Sequence, residues 1–347
     1  MYKRQKENFA DSYFYFDLAN KSEKFTAQSV YHFGLAANKS GNTSKAIKLL
    51  KSIAGQRNLV GAMASFDLAK IYLEQGNNEF AFTAFKSVID NKSGGEYRIE
   101  SSFAAGVLAY KLGRYSESIA LLTKHLEDYP ESPYGSEIND ILAPAFLNTR
   151  NYKPALDYIE GLEERSETIL RAYQQATYHY GVENYNDRKF TAAISYFKKS
   201  LENKIVDSYT QKANLWIAEA YAIGRRYKEA LPYYNDAVAL GKLDDGEYYL
   251  RASYGRGYAY YNTAEYPKAL TDFKRYVNQA EKESKQYGDA LVRLADCYYV
   301  SKEYGTALNY FGQAIQSNVN EKDYAYYQTG VINGIQGNVE RAITYLN

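Results

Sequence analysis

The sequence predicts an all-α chain, a solenoid of stacked helix–turn–helix hairpins. Three observations carry that expectation. A short residue pattern recurs ten times at near-constant spacing. A second pattern of small residues precedes it by twelve positions in each complete copy. The 347 residues also hold no linker, charge block or low-complexity tract that would divide them.

The recurring pattern is aromatic, two residues, small, three residues, bulky apolar. It reads Tyr115-x-x-Ser118-x-x-x-Leu122, Tyr152-x-x-Ala155-x-x-x-Ile159, Phe190-x-x-Ala193-x-x-x-Phe197, Tyr227-x-x-Ala230-x-x-x-Tyr234, Tyr266-x-x-Ala269-x-x-x-Phe273 and Tyr304-x-x-Ala307-x-x-x-Phe311. The first copy places Phe9 with Ser12 and Phe16. Copies without the leading aromatic place Ala46 with Leu50, Ala81 with Phe85 and Ala342 with Leu346. The small residues follow one another at intervals of 34 to 39 residues. Units of that period bury their cores against their neighbours.

The earlier marker is a Gly or Ala three residues ahead of a partner that is often aromatic. It runs Gly34/Ala37, Ala69/Tyr72, Gly106/Ala109, Ala143/Phe146, Gly181/Asn184, Ala218/Tyr221, Gly257/Tyr260, Ala295/Tyr298 and Gly330/Asn333. The spacing around both markers is helical. Polar turns such as Leu112-Gly113-Arg114 separate the two helices of a unit. Small residues let the two helices approach, and a bulky neighbour fills the space beside them. Pro154 and Pro267 fall in first helical turns, whereas Pro144 falls mid-helix and is expected to kink or shift it.

Composition narrows the function. With 42 basic and 41 acidic residues the net charge is +1, which offers no basic field for a nucleic-acid backbone. The N-terminal residues lack the apolar core of a signal peptide, and no stretch approaches 18 apolar residues. The single Cys297 makes no internal disulfide and reads as a buried, inert thiol. His32, His125 and His179 lie far apart, without a metal-binding or nucleophile motif around them. Gly255 and Gly257 form a lone GxG inside a helix, the wrong context for a dinucleotide loop. The expectation is no catalytic, cofactor or metal site, and no enzyme. Tyrosine stands out at 39 residues, against one Trp.

The two markers resemble the tetratricopeptide repeat, which places small residues at its eighth and twentieth positions with aromatics around them. The resemblance covers essentially the whole chain and implies a right-handed α-solenoid. Thr43 and Asn78 depart from it where later units carry Tyr or Phe. Units of up to 39 residues also exceed the family's length of about 34, with the excess expected in turns such as 203–208. The reading is one solenoid over 1–347: a partial unit at 1–26, eight complete units over 27–322 and a truncated unit at 323–347. Both ends fall mid-unit, so the chain is expected to be an internal segment of a longer protein.

In such a solenoid the first helices line the concave face, and the resemblance implies that partners bind there. Inward positions include Tyr178, Tyr185, Trp216, Glu219, Arg251, Tyr254, Tyr258, Tyr261, Asp289, Arg293, Asp296, Tyr299 and Tyr327. Tyr and Trp combine rigid contact area with a polar tip and concentrate at interfaces. The candidate partner-binding residues are therefore Tyr178, Tyr185, Trp216, Arg251, Tyr254, Tyr258, Tyr261, Arg293, Tyr299 and Tyr327. The Lys and Asn set by which co-chaperone repeats clamp a C-terminal carboxylate is missing: positions five and nine read Tyr31/Leu35, Phe66/Lys70, Phe103/Val107 and Asp140/Pro144. The function expected is a non-enzymatic scaffold for protein or peptide partners, with no nucleic acid, membrane span or chaperone tail among them. The Tyr-rich, elongated units resemble long bacterial cell-envelope proteins of this family. That leaves the compartment open while favouring the periplasm, through an upstream signal or lipid anchor, over the cytoplasm. The alternative is a regulatory, partner-sensing repeat domain of a larger enzyme or transcription regulator.

Overall fold

A computed structural model describes residues 2–19, 25–244, 246–282, 284–317, 320 and 322–346, with the side chains of 2–7 and 19 left aside. Asn20 and the last residue, Asn347, lie outside the described residues. Among those described there are nineteen helices and no strand, as the two markers require.

The chain divides into two compact units, Met1–Ile169 and Leu170–Asn347. The first holds α1 (Tyr2–Ala19) and four hairpins: α2 (Ala27–Lys39) with α3 (Thr43–Ala54), α4 (Leu59–Glu74) with α5 (Asn78–Asp90), α6 (Tyr97–Lys111) with α7 (Tyr115–Asp128), and α8 (Gly135–Asn148) with α9 (Tyr152–Glu160). The second begins within α10 (Glu167–Asn186), which pairs with α11 (Phe190–Glu202). It continues as α12 (Asp207–Ile223) with α13 (Tyr227–Ala239), α14 (Glu247–Asn262) with α15 (Tyr266–Val277), α16 (Lys285–Val300) with α17 (Tyr304–Gln316), and α18 (Lys322–Ile335) with α19 (Val339–Leu346). First helices pack on their own second helices and on the next first helices, as α4 does on α5 and α6, α12 on α13 and α14, and α14 on α15 and α16. Each unit is thus a stack of hairpins with its first helices side by side.

The close approach of paired helices is visible at the glycine markers. A Cβ built on Gly34 would lie 2.9 Å from Leu50, on Gly181 2.7 Å from Phe197, and on Gly330 2.6 Å from Leu346. These bulky partners are the residues sixteen positions on, and Leu50 and Phe197 are fully buried. Alternate units carry Ala instead, so the marker strictly alternates Gly and Ala along the chain.

The turn inside the hairpins is built one way, except that the α8–α9 turn lacks the bond with the wider sequence span. In the turn after α14, Ala264 N–H donates to Tyr261 O at 3.1 Å and Glu265 N–H to Tyr260 O at 2.8 Å, a Schellman arrangement. The residue between them takes a left-handed conformation in all nine hairpins: Gly41, Gly76, Gly113, Arg150, Arg188, Arg225, Ala264, Lys302 and Gly337, with φ between 55° and 91°. The next residue, such as Glu265 or Glu303, is at once the end of the Schellman turn and the N-cap of the second helix. The leading aromatic of the repeat is the first residue of that second helix at Tyr115, Tyr152, Phe190, Tyr227, Tyr266 and Tyr304.

Pro154 and Pro267 occupy first turns as expected. Pro144 lies inside α8, yet the helix runs unbroken from Gly135 to Asn148. The extra length of the units is shared between the linking turns and long first helices, such as α10 with 20 residues and α12 with 17. Cys297 is fully buried, and burial pushes its thiol up to about 12. No described helix is long and apolar enough to cross a membrane.

Candidate partner-binding groove

The first helices α12, α14 and α16 lie side by side in the second unit. Residues at i, i+4 and i+7 of α14 share one face, which aligns Tyr254, Tyr258 and Tyr261. Two side-chain clusters form along these helices. In one, Trp216 Nε1–H donates to Tyr178 Oη at 3.2 Å, and its ring meets that of Tyr185 edge-on at 4.7 Å. The Arg251 guanidinium stacks 4.6 Å from the Trp216 ring centre and grips Glu219 with two bonds, of 2.6 and 2.5 Å. Such forked pairing adds direction to charge. Tyr178 itself is only 6% exposed, so it backs Trp216 rather than facing a partner.

The other cluster joins α14 to α16. Tyr254 Oη donates to Asp289 at 2.7 Å, and Tyr258 Oη donates to the same carboxylate oxygen. Arg293 donates to Tyr258 Oη at 3.1 Å and to Asp296 at 3.0 Å. Asp296 also accepts from Tyr261 at 3.1 Å and from Tyr324 at 2.8 Å. Burial first, and the facing carboxylates second, hold Tyr254 and Tyr258 well above the usual phenol range, so both stay donors. Burial alone would lower Arg293, but Tyr258 and the two aspartates outweigh it. Burial likewise raises Asp296, against the pull of Tyr324 and Arg293.

Beside these clusters opens a cavity of about 1070 Å³ lined by residues of α10, α12, α13, α14, α15, the turn before α16 and the start of α16. Tyr185, Arg251, Tyr254 and Tyr258 line it. Burial pushes Tyr185 up to about 12.

The structure therefore gathers Tyr178, Tyr185, Trp216 and Arg251 at one end and Tyr254, Tyr258, Tyr261 and Arg293 at the other. Tyr299 stands apart, 6.0 Å from the ring of Tyr304, and Tyr327 is 56% exposed on α18. Glu219, Asp289 and Asp296 had inward positions but were not among the candidates, although they fix the orientation of those that were. Tyr234 was outside the inward register altogether. The signal that could have found it is a phenol at the bulky-apolar marker, facing a unit with a second glycine, Gly255. Among the described residues no three His, Cys, Asp or Glu side chains gather as metal ligands.

A family model described as tetratricopeptide repeat matches residues 31–96 and 185–245, one stretch in each compact unit. Both matched stretches are tetratricopeptide repeats. No curated protein matches the sequence. Among solved structures, the chain is similar to MamA at 21% identity, covering 48% of this chain and 89% of that one with a TM-score of 0.41. It is similar to YrrB, described as a TPR protein with an unusual peptide-binding site, at 19% identity over 56% of this chain and 91% of that one, TM-score 0.39. A tetratricopeptide repeat protein from Parabacteroides merdae is 16% identical over 81% of this chain and 98% of that one, TM-score 0.33. The tetratricopeptide repeat fold supports a scaffold for protein–protein interaction.

Proposed function

We propose that this scaffold is not an enzyme and binds segments of partner proteins along the Tyr-rich face of α10, α12, α14 and α16. The observation that carries the reading is the row Trp216, Arg251, Tyr254 and Tyr258, whose rings and guanidinium are held in place by Tyr178, Glu219 and Asp289. Side chains ordered before binding lose less entropy when a partner arrives. The partners are proteins or peptides, without nucleic acid, and the missing Lys/Asn clamp sets chaperone tails aside. A setting in bacterial envelope assembly or secretion is carried only by the composition of the units, and fractionation of the source cells tests it.

The test of the groove replaces Trp216, Tyr254 and Tyr258 together by Ala, with helicity checked by circular dichroism. Cross-linked partners of the unchanged chain and of the triple variant are compared by mass spectrometry. The proposal expects a defined set of partners to disappear. Retention of every partner by a folded triple variant would overturn it.

A further inference from the structure

The cavity beside the groove has a floor that its own residues leave unfinished. Gly255 stands at an inward position of α14 with no side chain, and the ring of Tyr234 on α13 fills its place. A Cβ on Gly255 would lie 2.5 Å from Tyr234 Cε1, Cζ and Oη. Tyr234 is 2% exposed and lines the cavity. A phenol hydroxyl both donates and accepts, so a group bound in the cavity is its available partner.

The walls indicate what that partner is. Their charged residues are Glu219, Glu247, Glu281 and Arg251. The lining holds three carboxylates against one guanidinium, and that guanidinium is bonded to Glu219. Six of the fourteen other lining residues are tyrosines, whose ring faces attract cations. The protein already seats guanidinium groups this way, with Arg293 lying 5.7 to 5.9 Å from the rings of Tyr258, Tyr261 and Tyr324. A carboxylate in this cavity would meet the glutamates with no free cation to receive it.

We infer that the cavity takes an arginine side chain of a bound peptide segment, its guanidinium between the tyrosine faces and donating to Tyr234 Oη and to Glu281. The inference rests on the groove reading above and names the chemistry it selects. It places a specificity pocket in a surface that otherwise recognises extended chain.

The test uses the full chain and fluorescein-labelled hexapeptide libraries, each with one position fixed as Arg, Lys, citrulline, Glu, Leu or Ala, read by fluorescence anisotropy. Arg-fixed libraries should bind on the order of tenfold tighter than citrulline- or Ala-fixed ones, the worth of a hydrogen-bonded charge. Tyr234→Phe removes one oxygen without changing the packed ring, and Glu281→Gln removes one exposed charge. Each should erase much of that preference while leaving Ala-fixed binding unchanged. Equal binding of all libraries, lost on the Trp216/Tyr254/Tyr258 substitution, overturns the arginine pocket and leaves the groove. A preference for Glu or Leu, or an Arg preference untouched by both single variants, also overturns it. No binding by any library removes both readings.

Discussion

Gly106 of α6 faces Leu122 of α7 so closely that a methyl group on the glycine would lie 2.3 Å from Leu122 Cδ2 and 2.5 Å from Cγ. Leu122 is fully buried, so it has no room to swing aside. Overpacking of this kind costs about 1–3 kcal/mol, more than the roughly 0.5–1 kcal/mol that Ala gains over Gly in a helix. Gly106→Ala is therefore expected to destabilise the α6–α7 hairpin, as measured by a lower urea midpoint and faster amide exchange in those helices. Gly312 in α17 is the opposite case, with open space around its Cβ position. Gly312→Ala should stabilise by roughly 0.5–1 kcal/mol, and an equal sign for the two substitutions would refute the close-approach account.

Ala264 sits in the left-handed turn of the α14–α15 hairpin with φ of 61°. A non-glycine residue there carries roughly 1–2 kcal/mol of strain between Cβ and the following carbonyl. The equivalent residues Gly41, Gly76, Gly113 and Gly337 avoid it. Ala264→Gly is expected to raise the stability of that hairpin by about 1 kcal/mol after the entropy of the freer unfolded chain is deducted. Urea unfolding followed by amide exchange of α14 and α15 reads the change, and a loss of stability would contradict it.

The hairpin repeat was legible because both markers answer to local packing: a small residue on one helix and a bulky one sixteen positions on. The turn was only half legible. Four units spell it with glycine, but Arg150, Arg188, Arg225, Ala264 and Lys302 adopt the same conformation from residues that give no sign of it. The division into two compact units left no trace in the repeat register, which crosses Ile169 and Leu170 without a change of period. In the groove, helical spacing aligned Tyr254 with Tyr258, but the carboxylate that holds both is Asp289, 35 and 31 residues away. No local spacing rule reaches that far. Tyr234 was hidden for a different reason: it occupies a core marker, and only the missing side chain of Gly255 brings it to a cavity.

His125 is buried between two serines, with Nδ1 2.7 Å from Ser102 Oγ and Nε2 2.7 Å from Ser132 Oγ. Burial lowers its affinity for a proton, and Asp128 offsets only part of this. The folded chain thus resists a proton that the unfolded chain accepts below its ordinary value of 6.5. Stability from this residue is whole above that pH and falls as pH drops through it, by no more than about 1.4 kcal/mol per pH unit for one proton. Urea midpoints at pH 7.5 and 5.5 should differ more for the unchanged chain than for His125→Gln. Equal differences would show that His125 is not the acid-sensitive group.

Asp289 is the acceptor on which the second cluster turns, since Tyr254 and Tyr258 both donate to it and Arg293 lies 3.6 Å away. Removing it strands two phenols that burial keeps protonated. Asp289→Ala should therefore destabilise the α14–α16 contact by roughly 2 kcal/mol, the scale of an unsatisfied buried group. Tyr254→Phe costs less, because it removes a donor and leaves Asp289 with Tyr258 and Arg293. The two changes together should cost less than their sum by about 1 kcal/mol, since the second removes a donor the first had already stranded. A double-mutant cycle on urea midpoints measures this coupling. Strict additivity would mean that the Tyr254–Asp289 bond does not order the groove, and that the row of rings is held by packing alone.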